Sequence, residues 1–142
     1  MGQYLLSART LVDLCLDGEN SAKNWFAGHL PRDMRVSVIS TAHARASIDR
    51  ITSVEDRDAL RSRLDDLVAK LARQSGVRAL AFDEICEPHW IRLMHRSGLG
   101  NAGQTDRQVW ATALAHGLTI VDRRRAEHVA LESLGVTVVT LD

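Results

Sequence analysis

The feature that most constrains the fold is the alternation of short apolar runs with longer helical patterns along the whole chain. Apolar residues spaced by three or four predict helices at residues 8–17, 22–28, 40–51, 54–74, 105–116 and 124–134. A further helix is predicted directly after Asp83, which would be its N-cap. Strand-like runs between them lie at residues 3–6, 35–39, 77–82, 118–121 and 136–139. This order predicts an α/β fold, a three-layer α/β/α sandwich around a parallel sheet of four to five strands.

Length and composition are those of an ordinary globular protein. The chain has 142 residues, 45% of them apolar and 25% charged, and its net charge is zero. We therefore expect a single domain over residues 1–142. Because no global positive charge is present, any binding of nucleic acid would depend on a local patch.

The cysteines and the hydropathy pattern indicate a cytoplasmic protein. Cys15 and Cys86 both lie in apolar helical patterns, which predicts two buried free thiols. The start MGQYLLSARTLVDL lacks the pattern of a signal peptide, and no apolar run approaches the roughly 20 residues of a membrane span. We expect no association with membranes.

Polar residues stand where the predicted strands lead into loops or helix starts. Parallel sheets bind ligands in the crevice beyond the carboxyl ends of their strands. Ser7, His43, Asp106 and Asp122 lie at four such points, and Glu127 follows about one helical turn later. Each has an ordinary explanation alone: a helix cap, a surface histidine, an acid at a helix N-terminus and a turn residue. Their joint placement predicts a site.

Three segments resemble the VapC-type toxins, which are PIN-domain proteins of bacterial toxin–antitoxin pairs. The start YLLSARTLVDL resembles LLDTNVLVDL, and SVISTAHARASIDRI resembles SVITLAELRYGIERL. The third segment, TDRQVWATALAHGLTIVDRRRAEH, resembles LDALIAATALAHGLTLVTRNTRDF. The resemblance implies a PIN-like fold, acids around one or two Mg²⁺ or Mn²⁺ ions, and cleavage of RNA. It also implies a homodimer and a small antitoxin protein as partner.

The resemblance assigns the site residues one by one. Ser7 stands at the position of the family's first Asp, and His43 at that of the Glu on the helix after strand two. Asp106 matches the third acid, Asp122 replaces a Thr, and Glu127 matches a later Asp. The candidate catalytic set is therefore Asp106, Asp122, His43 and Ser7, and the candidate metal ligands are Asp106, Asp122 and Glu127.

Two further positions change the charge of the predicted pocket. Arg9 and Arg124 stand where the family has Asn, and they become candidate contacts to RNA or phosphate. Two lost acids and two gained arginines, less one gained aspartate, make the pocket about three charge units more positive than the family pattern. Because Mg²⁺ prefers several carboxylate or water oxygens, we expect binding of Mg²⁺ or Mn²⁺ to be weak or absent.

Three functional hypotheses follow. The first is a working ribonuclease, either with a shifted metal set in which His43 favours Mn²⁺, or without metal, with His43 as general acid or base and Arg9 or Arg124 stabilising the phosphate. The second is a non-catalytic PIN fold that binds RNA, through the arginine run 123–125, or a protein partner. The third, a nucleotide-binding domain, is disfavoured because no glycine-rich loop follows strand one.

Overall fold

A four-stranded parallel sheet forms the centre of the computed structural model, which describes residues 3–96, 99–100 and 102–142. The strands are β1 (Tyr4–Leu6), β2 (Met34–Arg35), β3 (Thr119–Arg123) and β4 (Val138–Leu141), in the order β2-β1-β3-β4. All neighbouring strands run parallel. This confirms the predicted fold class. The run SGLGNAG at residues 97–103 predicts a loop, and this segment lies in part outside the described residues.

Seven α-helices surround this sheet in the part of the chain that the structure describes. Their bounds are α1 (Ala8–Cys15), α2 (Ser21–Ala27), α3 (Val38–Asp49), α4 (Val54–Ser75), α5 (Glu87–Met94), α6 (Gln104–His116) and α7 (Glu127–Ser133). A short 3₁₀ helix, Pro31–Asp33, leads into β2. None of these helices is both long and apolar enough to cross a membrane.

Two apolar clusters, one on each face of the sheet, make up the core. Leu6 and Val121 belong to the cluster that packs against α1, α3 and α4. Leu5 and Ile120, their neighbours along the strands, belong to the other cluster, with residues of α5, α6 and α7. Successive strand residues point to opposite faces, so burial of both neighbours produces the three-layer arrangement.

The predicted third strand, at residues 77–82, is only an isolated bridge. Leu80 pairs with Ser37, its N–H donates to the Val36 carbonyl at 2.8 Å, and its carbonyl accepts from Val38 N at 2.9 Å. The neighbouring chain offers no longer edge, because β2 ends at Arg35 and α3 begins at Val38. The predicted strand is therefore wrong, because only a single bridge forms at Leu80 and no ladder follows it.

The strand predicted at residues 35–39 is wrong in its second half. The buried Ser37 is the N-cap of α3, and its Oγ accepts from Ser40 N at 2.9 Å. The helix therefore begins at Val38 rather than at residue 40. The β-branched residues of the run RVSVI favour a strand up to residue 39, and so the sequence predicts the N-cap at Ser40 or Thr41.

Helix α5 buries less of its apolar side than its sequence suggests. Leu93 is buried, whereas Ile85, just before the helix, and Ile91 and Met94 within it are exposed. Both cysteines are buried free thiols, as predicted. Burial raises the pKa of the Cys15 thiol to about 11, against the lowering effect of the Arg63 and Lys23 charges.

Candidate functional site

The pairing of β1 with β3 brings Ser7 and Asp122 together. Leu6 pairs with Val121, so the residues that follow them, Ser7 and Asp122, leave the sheet side by side. The Ser7 hydroxyl donates to Asp122 Oδ1 at 2.8 Å, and Ser7 Oγ also accepts from Thr10 N at 3.1 Å as the N-cap of α1. Asp122 lies within β3 rather than after it.

Asp122 is buried and surrounded by partners. Its Oδ1 accepts a second hydrogen bond, from Arg123 N at 2.8 Å. Its Oδ2 lies 3.5 Å from Nε2 of His128, a buried histidine on α7. Among the residues that the structure describes, neither ring nitrogen of His128 has a hydrogen-bond partner, so the 3.5 Å contact with Asp122 is too long for a formed hydrogen bond.

Asp106 is bound by the guanidinium of Arg125. Arg125 donates from Nη1 to Oδ1 and from Nη2 to Oδ2, both at 3.0 Å, in a bidentate pair. Asp106 Oδ2 also accepts from Gly103 N at 3.2 Å, at the start of α6. The pair joins α6 to the segment between β3 and α7.

The charges in this pair stabilise each other. Burial raises the pKa of the Asp106 carboxyl, but the Arg125 hydrogen bonds and charge, the Gly103 N–H and the charge of His43 together bring it below its usual value. The hydrogen bond to Asp106 raises the pKa of Arg125 against the effect of burial, and the charges of Asp106, Glu127 and Asp122 raise it further. The charges of three acids therefore raise the pKa of Arg125, and two of them, Asp106 and Glu127, are in contact with it.

Two more side chains fix the position of Arg125. Glu127 Oε2 lies 3.6 Å from Arg125 Nε, and the Glu127 side chain is only 13% exposed. The guanidinium carbon lies 5.6 Å from the centroid of the Trp110 ring, which is buried in the core. A planar guanidinium over an aromatic face with two acids beside it has little freedom to move.

His43 lies at the side of this cluster. It is exposed, in a hollow of about 300 Å³ between α3 and α6 whose lining is Ile39, Ala42, His43, Thr105 and Gln108. Its effect on the pKa of Asp106 is smaller than those of the Arg125 hydrogen bonds, the Arg125 charge and the Gly103 N–H. The roles assigned to His43, Ser7, Asp106 and Asp122 in catalysis remain predictions.

The two arginines predicted to contact phosphate form ion pairs with other residues. Arg124 binds Asp142, with Nε and Nη2 at 3.1 and 3.0 Å from Oδ1, and both side chains are exposed. Arg9 Nε lies 3.2 Å from Oδ1 of Asp13, a buried acid on α1. Arg123 also binds Asp13, which ties α1 to the end of β3.

The donors present do not fit a divalent metal centre. Both oxygens of Asp106 are bound by Arg125, and Oδ1 of Asp122 accepts from Ser7 and Arg123 N. Across residues 3–96, 99–100 and 102–142, no three His, Cys, Asp or Glu side chains converge in a way that could hold a metal ion. Asp106 and Glu127 both contact Arg125, whereas Asp122 contacts Ser7 and lies near His128.

Sequence reasoning did not single out three residues of this region. Arg125 was seen only as part of the basic run 123–125, although the run follows a strand and so adjoins the crevice. His128 directly follows Glu127, and its burial has no signal in the sequence. Asp13 lies on the apolar side of a helical pattern, which is an unusual place for an unpaired acid.

Several solved structures share this architecture, among them one described as a member of the VapBC family of toxin–antitoxin systems, from Mycobacterium tuberculosis, with a TM-score of 0.71 at 15% identity over 99% of each chain. The structure superposes on FitAcB from Neisseria gonorrhoeae with a TM-score of 0.77, at 20% identity over 96% of each chain. For VapBC2 from Rickettsia felis bound to a promoter DNA fragment, the TM-score is 0.76, at 17% identity over 98% of each chain. The chain has the VapC-type PIN fold.

Another structure with this fold is Mycobacterium tuberculosis VapC20, described as a Sarcin-Ricin loop cleaving toxin. Its TM-score is 0.66, at 13% identity over 95% of this chain and 97% of the other. No protein-family model and no curated protein matches the sequence. The superpositions on FitAcB, VapBC2 and VapC20 confirm the predicted PIN-like fold. The crevice described above lies at the carboxyl ends of its strands.

Proposed function

We propose that this chain acts as the toxin-fold member of a toxin–antitoxin-type pair, through binding to a small antitoxin protein, without canonical Mg²⁺-dependent cleavage of RNA. The observation that carries the second part is the bidentate pair between Arg125 and Asp106. A cytoplasmic location, as expected from the sequence, is part of the proposal.

The state of the acids supports the loss of canonical hydrolysis. Mg²⁺ needs near-octahedral oxygen ligands and gives up its waters reluctantly, so it competes poorly for a carboxylate that a guanidinium already holds at two points. Ser7 offers a hydroxyl where the family offers a carboxylate, and that hydroxyl donates to Asp122. The crevice therefore has no carboxylate at position 7 and no free oxygen on Asp106 with which to orient a metal and its water.

The names of similar structures support a protein partner. One is described as a toxin–antitoxin complex from Klebsiella pneumoniae and another as a member of the VapBC family of toxin–antitoxin systems. The arginines proposed to contact RNA are also engaged elsewhere: Arg124 pairs with Asp142, and Arg9 and Arg123 share the single acid Asp13, which leaves one positive charge between them.

A ribonuclease is the second candidate, because three acids still gather beyond the strand ends and VapC20 is named as an RNA-cleaving toxin. In a metal-dependent form, the metal would have to displace Arg125 before it could bind Asp106, Asp122 and Glu127. In a metal-free form, His43 would be the general acid or base. Both forms make distinct predictions in one assay.

The assay measures cleavage of single-stranded and hairpin RNA by the full chain in Mg²⁺, Mn²⁺ or EDTA. We expect no metal-dependent cleavage above the level of Asp106→Ala, with Asp142→Ala as the matched control. Robust cleavage that is abolished by EDTA and by Asp106→Ala would contradict the proposal. Cleavage that survives EDTA and is lost in His43→Ala would support the metal-free ribonuclease instead.

The partner is tested by co-expression with the product of the open reading frame that adjoins the gene of this chain, which we expect to be a small protein. We expect the two to purify together as a stoichiometric complex, and the complex to survive a high-salt wash if apolar contacts dominate. Separate elution of two folded proteins would contradict the antitoxin half of the proposal.

A further inference from the structure

Five cations gather at the amino end of the sheet, opposite the crevice. The 3₁₀ helix Pro31–Asp33 and β2 both pack against α4, and the segment after α4 runs parallel to the chain after β2 at the bridge between Ser37 and Leu80. The end of α4 therefore lies beside the start of β2. The positively charged residues of these elements, here called the basic surface, are Arg32, Arg35, Lys70, Arg73 and Arg78.

The charge of the basic surface is not balanced nearby. In the part of the chain that the structure describes, none of its five cations forms an ion pair. The acids on the same elements are Asp33 and Asp66, one turn before Lys70, so five cations against two acids leave three positive charges. Because the whole chain has a net charge of zero, this surface is a local concentration of positive charge.

Aromatic rings lie beside these cations. Lys70 Nζ lies 5.7 Å from the centroid of the Phe26 ring on α2. The preceding residue, Trp25, stacks on His29 with ring centroids 4.2 Å apart and planes at 21°. Both rings of this stack are partly exposed, and Arg32 follows His29 by three residues.

The contacts around the stack fix its position. His29 Nδ1 donates to the Trp25 carbonyl at 2.6 Å. The Tyr4 ring on β1 packs edge-on against both, with centroids 5.0 Å from Trp25 and 5.4 Å from His29. The two rings are therefore held ready for a further flat group to stack on them.

We propose that the basic surface and the Trp25–His29 stack bind a single strand of nucleic acid. Proteins that bind single strands without sequence preference combine cations that follow the phosphates with aromatic rings on which the bases stack. Both features occur together here. The ring stack favours a nucleic acid over an acidic peptide, because every base presents a flat face to it.

Fluorescence anisotropy with a labelled oligouridine of about 12 nucleotides tests the full chain. Binding is measured in EDTA at several KCl concentrations. We expect affinity to fall with salt, because each phosphate contact of a single strand contributes about −0.7 to the slope of log K against log salt concentration. An oligodeoxythymidine of the same length is the second probe. Equal binding would identify the phosphodiester backbone as the ligand, and tighter binding of the RNA would add contacts to the 2′-hydroxyl.

The central variant is Arg73→Gln/Arg78→Gln, at two exposed side chains that form no ion pair with a described residue. We expect it to remain folded, to lose about 1.4 of the salt slope and to bind at least about tenfold more weakly at low salt. Arg92→Gln/Arg96→Gln is the matched control. It removes the same charge from exposed positions in and just after α5, on the other face of the sheet, and should bind as the wild type does.

His29→Ala separates stacking from charge. We expect it to weaken binding at least about fivefold without changing the salt slope, since it removes a stacking ring rather than a phosphate contact. No binding by the wild type at low salt, or equal losses in the two double arginine variants, would overturn the proposal. So would a loss confined to Arg9→Gln/Arg124→Gln, because the strand would then lie in the crevice.

Binding at the basic surface is independent of the proposed function, since it requires neither RNA cleavage nor an antitoxin partner. Failure of the wild type to bind either oligonucleotide would leave the antitoxin complex and the loss of metal-dependent cleavage untouched.

Discussion

The pairing of Asp106 with Arg125 shows how one neighbouring residue can occupy a carboxylate that would otherwise be free to bind a metal. A carboxylate at a helix start beyond a parallel sheet is a natural metal ligand, and Asp106 also accepts from Gly103 N. Two parallel hydrogen bonds from Arg125 use the same oxygens that a metal would bind. The consequence at the residue scale is that Asp106 contributes to stability rather than to a metal centre.

Asp106→Asn is expected to destabilise the fold by about 1–2 kcal/mol, because a partly buried charge-assisted pair is replaced by a neutral contact. The side chains of Asp106 and Arg125 are only 29% and 31% exposed, so solvent screens this pair incompletely. Urea unfolding measures the change. Asp142→Asn, which breaks the exposed pair with Arg124, is the control and should have no measurable effect.

The same pair predicts a dependence of stability on pH. The pKa of Asp106 in the folded protein lies below its ordinary value of 3.8, so its contribution is complete above that value and is lost as the pH falls through the folded pKa. The difference in unfolding free energy between the wild type and Asp106→Asn should therefore be constant from neutral pH to about pH 5 and shrink below about pH 4. A difference that grows in acid would contradict this assignment.

The residues of the site were predictable to different degrees. Ser7, Asp122 and Asp106 could be placed because strand ends of a parallel sheet meet at one edge. Arg125 could not be distinguished from Arg124 without the geometry of the segment after β3. The two differ in partner because Arg124 reaches Asp142 beyond β4, whereas Arg125 reaches α6.

At the scale of elements, Ser7 connects a helix start to the sheet. It caps α1 through Thr10 N and donates to Asp122 on β3, so one hydroxyl serves two elements. The Thr10 hydroxyl adds a bond to the Val121 carbonyl at 2.8 Å. The start of α1 is therefore held directly against the end of β3.

Ser7→Ala is expected to cost about 1–2 kcal/mol, since it removes the cap and leaves the buried Asp122 with one donor fewer. Ser53→Ala is the matched control, because Ser53 caps α4 through Asp56 N at 3.3 Å on an exposed surface. Thermal or urea unfolding compares the two. Equal losses would mean that the Ser7–Asp122 hydrogen bond adds nothing beyond capping.

Element boundaries depended on contacts that the sequence does not display. The helical patterns from 54 to 74 and from 105 to 116 agree with α4 and α6 within a residue, because Gly76 and Gly117 end them with positive φ. The segment 77–82 has a good strand pattern but no long partner edge. A strand forms only where another segment offers it a partner edge. A long amphipathic helix with caps is specified largely by its own sequence.

At the scale of the whole molecule, the exposed apolar side chains of α5 are the clearest unpaired surface. Ile91 and Met94 are three residues apart, so they share one helix face, and both are more than a third exposed. Homodimerisation, expected from the resemblance, would cover such side chains. We therefore assign this face of α5 to the predicted dimer contact.

Light scattering after size exclusion should give twice the 15.7 kDa mass of the chain. Ile91→Asp is expected to shift the protein toward the monomer, because the interface would have to bury a charge. Val129→Asp, at a side chain that is 79% exposed on α7, should leave the mass unchanged. A monomer at all concentrations, or dissociation by both variants alike, would contradict the assignment.

Arg125, rather than a metal ion, is the cation that binds Asp106 and contacts Glu127 in this crevice. An anomalous difference map from wild-type crystals grown with MnCl₂ tests this directly. We expect no manganese peak beside Asp106 and a guanidinium bound to both its oxygens. A manganese peak held by Asp106 and Asp122, with Arg125 turned away, would contradict it.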